Sequence, residues 1–222
     1  EEEFSCRDGF RWSPDGKYLY YASARFVRKD TVENLDNETI LRYKEIKYNL
    51  FRRSFDPANR RIGPPELVFD AAARGKSATL PRISPDGHYL MFTLGEFGVF
   101  HIWHKDADLY LMDLRTRQVR PMTEINSDDV ESYHSWSSNG RWVVFSSRRY
   151  DGNYTRPFIA YIDKNGKGRK PFELPQEVPD MHRRFMRSYN IPEFMNGPVE
   201  ITPQAFASLI RDTEARPARQ KN

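Results

Sequence analysis

The sequence predicts an all-β protein assembled from repeated four-stranded antiparallel sheets. The first observation behind this prediction is a hairpin motif that occurs three times, as RWSPDGKYLYYAS from Arg11, RISPDGHYLMFTLG from Arg82 and SWSSNGRWVVFSSRR from Ser135. The second is the composition, because 38% of the 222 residues are hydrophobic and 14% are aromatic. Aromatic residues fit the pleated, half-buried surface of a sheet. Length and apolar content suffice for a sizeable core.

Each copy of the motif contains a tight turn between two strands. Proline presets φ for the first central position of a turn, Asp accepts local backbone hydrogen bonds, and Gly takes the left-handed conformation. Asn followed by Gly is the strongest short hairpin signal. We therefore assign structural turn roles to Pro14, Asp15, Gly16, Pro85, Asp86, Gly87, Asn139 and Gly140.

The sequences around the turns predict further strands in each copy. Short strands precede the first two turns at 10–12 and 81–83, and apolar strands follow the three turns at 18–23, 89–94 and 142–147. Third strands are predicted at 48–56, 108–114 and 157–163, and fourth strands return at 63–70, 119–123 and 169–174. About four antiparallel strands per repeat make up one blade of a β-propeller.

The repeated hairpin, the polar loop, the strand ending in Asp and the closing strand resemble the WD40-like (PD40) repeat of the TolB family of bacterial propellers. The resemblance covers residues 10–174. It implies a periplasmic or cell-envelope β-propeller that acts as a non-enzymatic binding or scaffold protein. Similar blades occur in propeller domains attached to prolyl-oligopeptidase-like enzymes and in some sugar-acid lyases. The alternative is therefore the propeller domain of a carbohydrate-active or peptidase-associated enzyme, with a site in its inserted loops.

The repeats are longer and fewer than in a complete propeller. The turns lie further apart than the about 40 to 50 residues of a blade repeat, because a charged segment at 24–47 and an aromatic segment at 95–108 are inserted. About three blades are predicted, whereas a closed ring needs about 4 to 8. We expect this chain to be the C-terminal half of a larger, six- or seven-bladed ring, with the other blades supplied by a longer chain or by a partner.

The domain prediction follows the repeats. Blades fill residues 1–175, at approximately 4–70, 78–124 and 130–175, and a C-terminal extension fills 176–222. In the extension, Thr202 and Pro203 suit an N-cap and a first helical position. One apolar face follows, formed by Ala205, Phe206, Leu209 and Ile210. A short helix is therefore predicted near 203–212, in a tail that either packs on the last blade or reaches another surface.

The segment HIWHKDAD contains a candidate binding cluster of His101, Trp103, His104, Asp106 and Asp108. Imidazole and carboxylate groups at this spacing could ligate zinc or another transition metal. A metal site also needs converging geometry, which spacing does not provide. The sequence therefore favours a loop whose His and Trp side chains pack or face a partner, with no metal.

A second candidate group surrounds the third hairpin. His134 precedes the turn, and Arg148, Arg149 and Tyr150 follow the strand after it. We expect these residues to lie near the inserted loops, where binding residues concentrate. Basic and aromatic side chains suit an acidic group, a sugar or a peptide, so we expect a protein partner or a small polar ligand at the propeller face.

Several other functions find no support in the sequence. The net charge of +4 arises from 35 Lys and Arg interleaved with 31 Asp and Glu, and no nucleic-acid recognition motif accompanies it. No segment approaches the about 20 apolar residues of a membrane helix. The chain lacks Gly-x-Ser-x-Gly, and Asp70 stands where a phosphate-binding loop ending in Gly75-Lys76-Ser77 needs its first Gly. The sequence thus favours a protein that is not an enzyme and needs no cofactor.

Overall fold

The computed structural model describes residues 3–29 and 35–212 of the chain. Over these residues it contains three antiparallel sheets, each built from strands that are consecutive in the sequence. The all-β prediction is confirmed. None of the described helices is long and apolar enough to cross a membrane.

The first sheet, blade 1, begins with two ten-residue strands. It consists of β1 (Glu3–Trp12), β2 (Tyr18–Val27), β3 (Tyr48–Asp56), β4 (Arg61–Ile62) and β5 (Glu66–Phe69). Strands β4 and β5 both pair with β3. The first two strands are longer than predicted, because their pairing continues to Glu3 opposite Val27.

The second and third sheets, blades 2 and 3, each have four strands in sequence order. Blade 2 consists of β6 (Ser77–Ile83), β7 (Tyr89–Gly95), β8 (Asp108–Asp113) and β9 (Val119–Pro121). Blade 3 consists of β10 (Glu131–Trp136), β11 (Trp142–Ser147), β12 (Arg156–Tyr161) and β13 (Phe172–Glu173). The last strand of each blade is short, as is common at a sheet edge.

The three hairpin turns share one hydrogen-bond pattern. The serine at the start of each turn makes two of its bonds, although the sequence did not predict a turn role for this residue. In blade 2, the Ser84 hydroxyl donates to the Asp86 carboxylate at 2.5 Å and accepts from the Tyr89 amide at 2.9 Å. Ser13 and Ser137 do the same in their blades. The turn glycines have φ values of 66 to 73°, a backbone region that residues with a Cβ atom rarely adopt.

The first strand of each blade carries a bulge at a residue with positive φ. These residues are Gly9, Leu80 and Tyr133, with φ of 68, 54 and 50°, and the register of each first strand shifts next to them. A bulge bends a strand and increases its twist. The first strands contact one another, β1 with β6 and β6 with β10, so the blades fan out from a shared inner edge.

Blades 2 and 3 each pack one sheet face against the preceding blade. Phe92 and Phe145 stand five residues after their turn glycines, and both are fully buried between blades. Full burial of such a side chain contributes about 1.5 to 3 kcal/mol. Tyr21 holds the equivalent position in blade 1, where it stacks between Phe10 at 5.6 Å and Phe51 at 5.8 Å. This face borders an open hollow of about 710 Å³, and no described blade covers it.

The two inserted segments contain short helical turns. The first holds helix α1 (Leu35–Leu41) and a 3₁₀ turn at Tyr43–Glu45, and residues 30–34 lie outside the described residues. The buried Glu38 carboxylate is bonded by the Arg42 guanidinium and by the Lys29 amide at 2.8 Å. The second insertion contains a 3₁₀ turn at His101–Trp103.

The C-terminal extension returns to blade 3 before it reaches its helix. Helix α2 (Met181–Arg184) forms one turn, and the Tyr189 amide then donates to the Thr155 carbonyl at 3.1 Å. Helix α3 (Pro203–Asp212) confirms the predicted short helix, with the Thr202 hydroxyl accepting from the Ala205 amide at 3.2 Å. Residues 213–222 of the predicted extension lie outside the described residues.

Candidate functional site

Two loops from neighbouring blades meet at the end of the blades opposite the hairpin turns. The loop between β7 and β8 presents Trp103, and the loop between β11 and β12 begins with Arg148. The Arg148 guanidinium lies 4.1 Å from the centre of the Trp103 ring. Trp103 is 68% exposed, so its second face is open to a ligand.

A similar contact lies beside the first. The Arg183 guanidinium lies 4.6 Å from the centre of the Tyr150 ring, and Tyr150 is 46% exposed. The structure thus contains two cation–aromatic pairs, Trp103 with Arg148 and Tyr150 with Arg183, which we together call the cation–aromatic row. Each such contact contributes about 0.5 to 1 kcal/mol at an exposed position.

Arg149 has a different environment from its neighbour Arg148. Its guanidinium donates to the Glu131 carboxylate at 2.9 Å, to the Ile125 carbonyl at 2.8 Å and to the Ser147 hydroxyl at 3.0 Å. Glu131 also accepts from the Ser127 and Ser147 hydroxyls at 2.6 and 2.8 Å. Burial raises the pKa of Glu131, and Ser127 and Arg149 partly oppose that shift. Arg149 therefore anchors the start of the loop between β11 and β12 to the inner strand of blade 3.

A shallow hollow of about 410 Å³ lies next to the row. Arg149 and Tyr150 line it, together with Lys105, Ser127, Asp128 and Asp129. The hollow thus carries both acidic and basic groups, which suits a polar surface contact better than an apolar ligand.

The two histidines of the second insertion pack inside the loop. The Nδ1 atom of His101 and the Thr79 hydroxyl form a hydrogen bond of 2.9 Å. The His101 side chain is 1% exposed. Burial and the neighbouring His104 lower the pKa of His101 to about 4. The His104 ring lies 4.5 Å from the Phe97 ring, and burial lowers its pKa as well. Both rings therefore hold the loop that carries Trp103.

The two aspartates of the same segment show no shared ligand geometry. Asp108 begins β8, and burial, assisted by the charges of Glu131 and Asp106, raises its pKa to about 6. Within residues 3–29 and 35–212, no three His, Cys, Asp or Glu side chains lie so that they could hold a metal ion. The chemistry that the row supports is therefore noncovalent recognition by aromatic faces and guanidinium groups.

His134 lies apart from the row, inside strand β10. It is 1% exposed, and neither of its ring nitrogens has a partner in hydrogen-bonding geometry. Burial lowers its pKa to about 3, and the charges of Arg82 and Arg11 act in the same direction, whereas the Met91 and Leu80 carbonyls oppose it. The ring is thus a neutral core group at the junction of blades 2 and 3.

Comparison with known proteins finds similar solved structures but no matching family. No protein family model matches this sequence, and no curated protein does. Similar solved structures include the propeller domain of the Trilobed protease from Pyrococcus furiosus, at 17% identity and a TM-score of 0.42, over 78% of this chain and 44% of that chain. An oligogalacturonate lyase in complex with manganese shares 14% identity at a TM-score of 0.48, over 75% of this chain and 41% of that chain.

An acylaminoacyl peptidase is similar over 78% of this chain and 26% of its own length, at 18% identity and a TM-score of 0.42. This chain therefore spans less than half the length of these three proteins. Of these three, the Trilobed protease domain is named as a β-propeller. Identities this low do not transfer an activity, a substrate or a partner.

Sequence reasoning missed two parts of the site. Arg183, in the extension, completes the cation–aromatic row, and Glu131 anchors Arg149 from the inner strand of blade 3. Both depend on contacts between residues distant in the sequence. The sequence did contain a sign of the role of Glu131. A carboxylate in a strand of small and aromatic residues needs a hydrogen-bonding or cationic partner if the strand is buried.

Proposed function

We propose that this chain is a β-propeller binding or scaffold protein, TolB-like in role, that recognises a protein partner or a small polar ligand through the cation–aromatic row. The observation that carries this proposal is the Arg148 guanidinium stacked on the exposed Trp103. Trp, Tyr and Arg are the residues that most often dominate the energy of protein interfaces. Function in such folds belongs to the loops rather than to the repeated blades.

The row is arranged to favour an acidic or a planar ligand. The exposed Arg183 supplies a guanidinium that can pair with a carboxylate group. Arg148 is 9% exposed and lies against the Trp103 ring, while Trp103 and Tyr150 supply flat apolar faces. The supporting layer of Glu131, Arg149 and the packed histidines fixes both loops. A ligand therefore meets a preorganised surface and loses less free energy to side-chain ordering.

The alternative of an enzyme-associated propeller depends on histidines that face a cleft. His101 and His134 are each 1% exposed, and their rings are occupied in packing. This arrangement favours the binding protein over the enzyme.

Two further parts of the proposal rest on the family resemblance and on the repeats. We place the protein in the periplasm or cell envelope of a bacterium, by analogy with TolB-like propellers. We also propose that these blades belong to a six- or seven-bladed ring. The hollow beside Tyr21 and Phe51 supports the ring. Tyr21 is 3% exposed and is covered by aromatic side chains of its own blade, whereas its equivalents Phe92 and Phe145 are covered by a preceding blade.

Nuclear magnetic resonance of the indole groups tests the binding proposal. The chain has four Trp residues, and Trp12, which is 50% exposed on blade 1, serves as an internal control. The probes are an Asp- and Glu-rich peptide, a uronate oligosaccharide and a neutral oligosaccharide. We expect at least one acidic probe to shift the Trp103 signal, with no shift of Trp12, and Arg148→Ala to abolish the effect. Equal shifts of both indoles, or none with any probe, would contradict the proposal.

A further inference from the structure

The C-terminal extension makes an ion pair with the inner strand of blade 2. The Arg82 guanidinium donates to the Glu193 carboxylate at 2.7 Å, between residues separated by 111 positions. Arg82 lies on β6, next to the bulge at Leu80. Its side chain is 20% exposed and that of Glu193 is 51% exposed. The extension therefore crosses from blade 3 to blade 2 along their shared inner edge.

Blade 3 contacts the backbone of Arg82. The Trp136 indole donates to the Arg82 carbonyl at 3.1 Å, and the buried His134 lies close enough for the charge of Arg82 to affect it. Arg82 is thus a fixed cation at the junction of two inner strands, and a carboxylate is the natural group to pair with it.

The extension binds blade 3 as an extended peptide before it reaches Arg82. The Ser146 hydroxyl donates to the Tyr189 carbonyl at 3.0 Å, and the Thr155 hydroxyl donates to the Asn190 side-chain oxygen at 2.6 Å. Arg156 donates to the Arg187 carbonyl at 2.9 Å. These bonds hold the extension against the ends of β11 and β12, the two central strands of blade 3.

The backbone between these two anchors is held in a strained conformation. Ile191 has a φ of 56°, an outlier for a β-branched residue. Strain of this kind persists only where surrounding contacts impose it, and it is characteristic of segments that switch. Ile191 is also 55% exposed, and Met195 is 63% exposed. These two apolar side chains therefore contribute little to the packing of the extension against the blades.

We propose that Thr155, Ser146 and Arg82 form a binding site for an extended peptide that carries an Asn and one carboxylate, and that residues 187–193 of the chain occupy it as a built-in ligand. The recognised pattern is an Asn followed three positions later by an acidic residue, as in Asn190 to Glu193. A partner peptide with this pattern displaces residues 187–193, while the contact of His182 with Glu173 at 2.8 Å keeps α2 on blade 3. This site is separate from the cation–aromatic row, and its test stands or falls independently of the proposed function.

A peptide supplied in trans tests the site on the full chain. The probe is a fluorescent peptide of sequence RSYNIPEFM, which copies residues 187–195, and its binding is followed by fluorescence anisotropy. The double variant Asn190→Ala, Glu193→Gln weakens the built-in segment, so we expect it to bind the probe about tenfold more tightly than the wild-type chain. The same peptide with Gln in place of Glu is expected to lose most of this gain.

Variants of the receptor side complete the test. Arg82→Gln in the double-variant background is expected to remove the gain, whereas Arg82→Lys retains part of it. Arg115→Gln is the matched control, because Arg115 is an exposed arginine of the same blade that pairs with Asp113. Melting temperatures verify that each variant is folded. Equal binding of the probe to all folded variants, or binding of free glutamate as tight as that of the peptide, would overturn the proposal.

Discussion

Acidification from pH 7 to 4.5 is expected to destabilise the protein through His134. Free histidine has a pKa of about 6.5, whereas burial holds the pKa of His134 at about 3. Between these values the unfolded state binds a proton that the folded state does not, so stability falls as the pH falls. Over the two pKa units from 6.5 to 4.5, at about 1.4 kcal/mol each, His134 lowers the free energy of unfolding by about 2 to 3 kcal/mol.

The comparison variant follows from the repeats. Phe10 holds the position of His134 in blade 1, one residue after the bulge, so His134→Phe replaces the ring with one of similar shape that does not titrate. Urea unfolding of both proteins at pH 7 and at pH 4.5 gives the two free-energy differences. The wild-type protein should lose about 2 to 3 kcal/mol more than the variant. Other titrating groups cancel in this comparison.

A matched control uses the histidine of the blade 2 turn. His88→Gln removes a histidine whose side chain is 53% exposed, and it serves as the control for the loss of a histidine outside the core. If His134→Phe and the wild-type protein lose the same stability on acidification, the ring is hydrated or paired in the folded state, and the described junction of blades 2 and 3 is wrong.

Three further predictions concern the turns and the loop support. Ser84→Ala removes both hydroxyl bonds of its turn and should cost about 1 kcal/mol in urea unfolding, and no loss would refute the role of the serine. Arg149→Met leaves Glu131 buried without its cation and should lower the free energy of unfolding by about 3 to 5 kcal/mol. The control Arg115→Gln should lower it by less than about 0.5 kcal/mol. Asp108→Asn should stabilise the protein by about 1 kcal/mol at pH 7, a value reduced for partial exposure. That gain should vanish near pH 4, because the raised pKa of Asp108 makes stability fall as the pH rises from about 4 to 6.

The turns and strands were predictable because their determinants are local. Pro85, Asp86 and Gly87 act within one turn, and the apolar run after them forms the second strand of its blade. The predicted helix after Thr202 was equally local. The strand limits were less accurate in blade 1, since the length of β1 and β2 depends on their mutual pairing and not on either sequence alone.

The candidate site was predictable only in its parts. Trp103 and Arg148 were both selected, but their contact depends on how two blades pack. Arg148 and Arg149 are adjacent in the sequence, yet one stacks on an exposed ring and the other is tied to Glu131. His134 was expected near the inserted loops, and the structure places it inside β10. Arg82 and Glu193 carry no local signal, because only the fold brings them together.

The central claim of this account is that three sheets pack as blades around adjacent first strands. The most direct test is a nuclear Overhauser measurement on the uniformly labelled protein, directed at the Trp136 indole proton, which donates across the junction to the Arg82 carbonyl. The blade arrangement predicts cross-peaks from this proton to β6, together with cross-peaks from Gly9 to the Pro81 ring and to the Leu80 backbone, which lie against it. A Trp136 indole with contacts only inside β10 and β11 would contradict it.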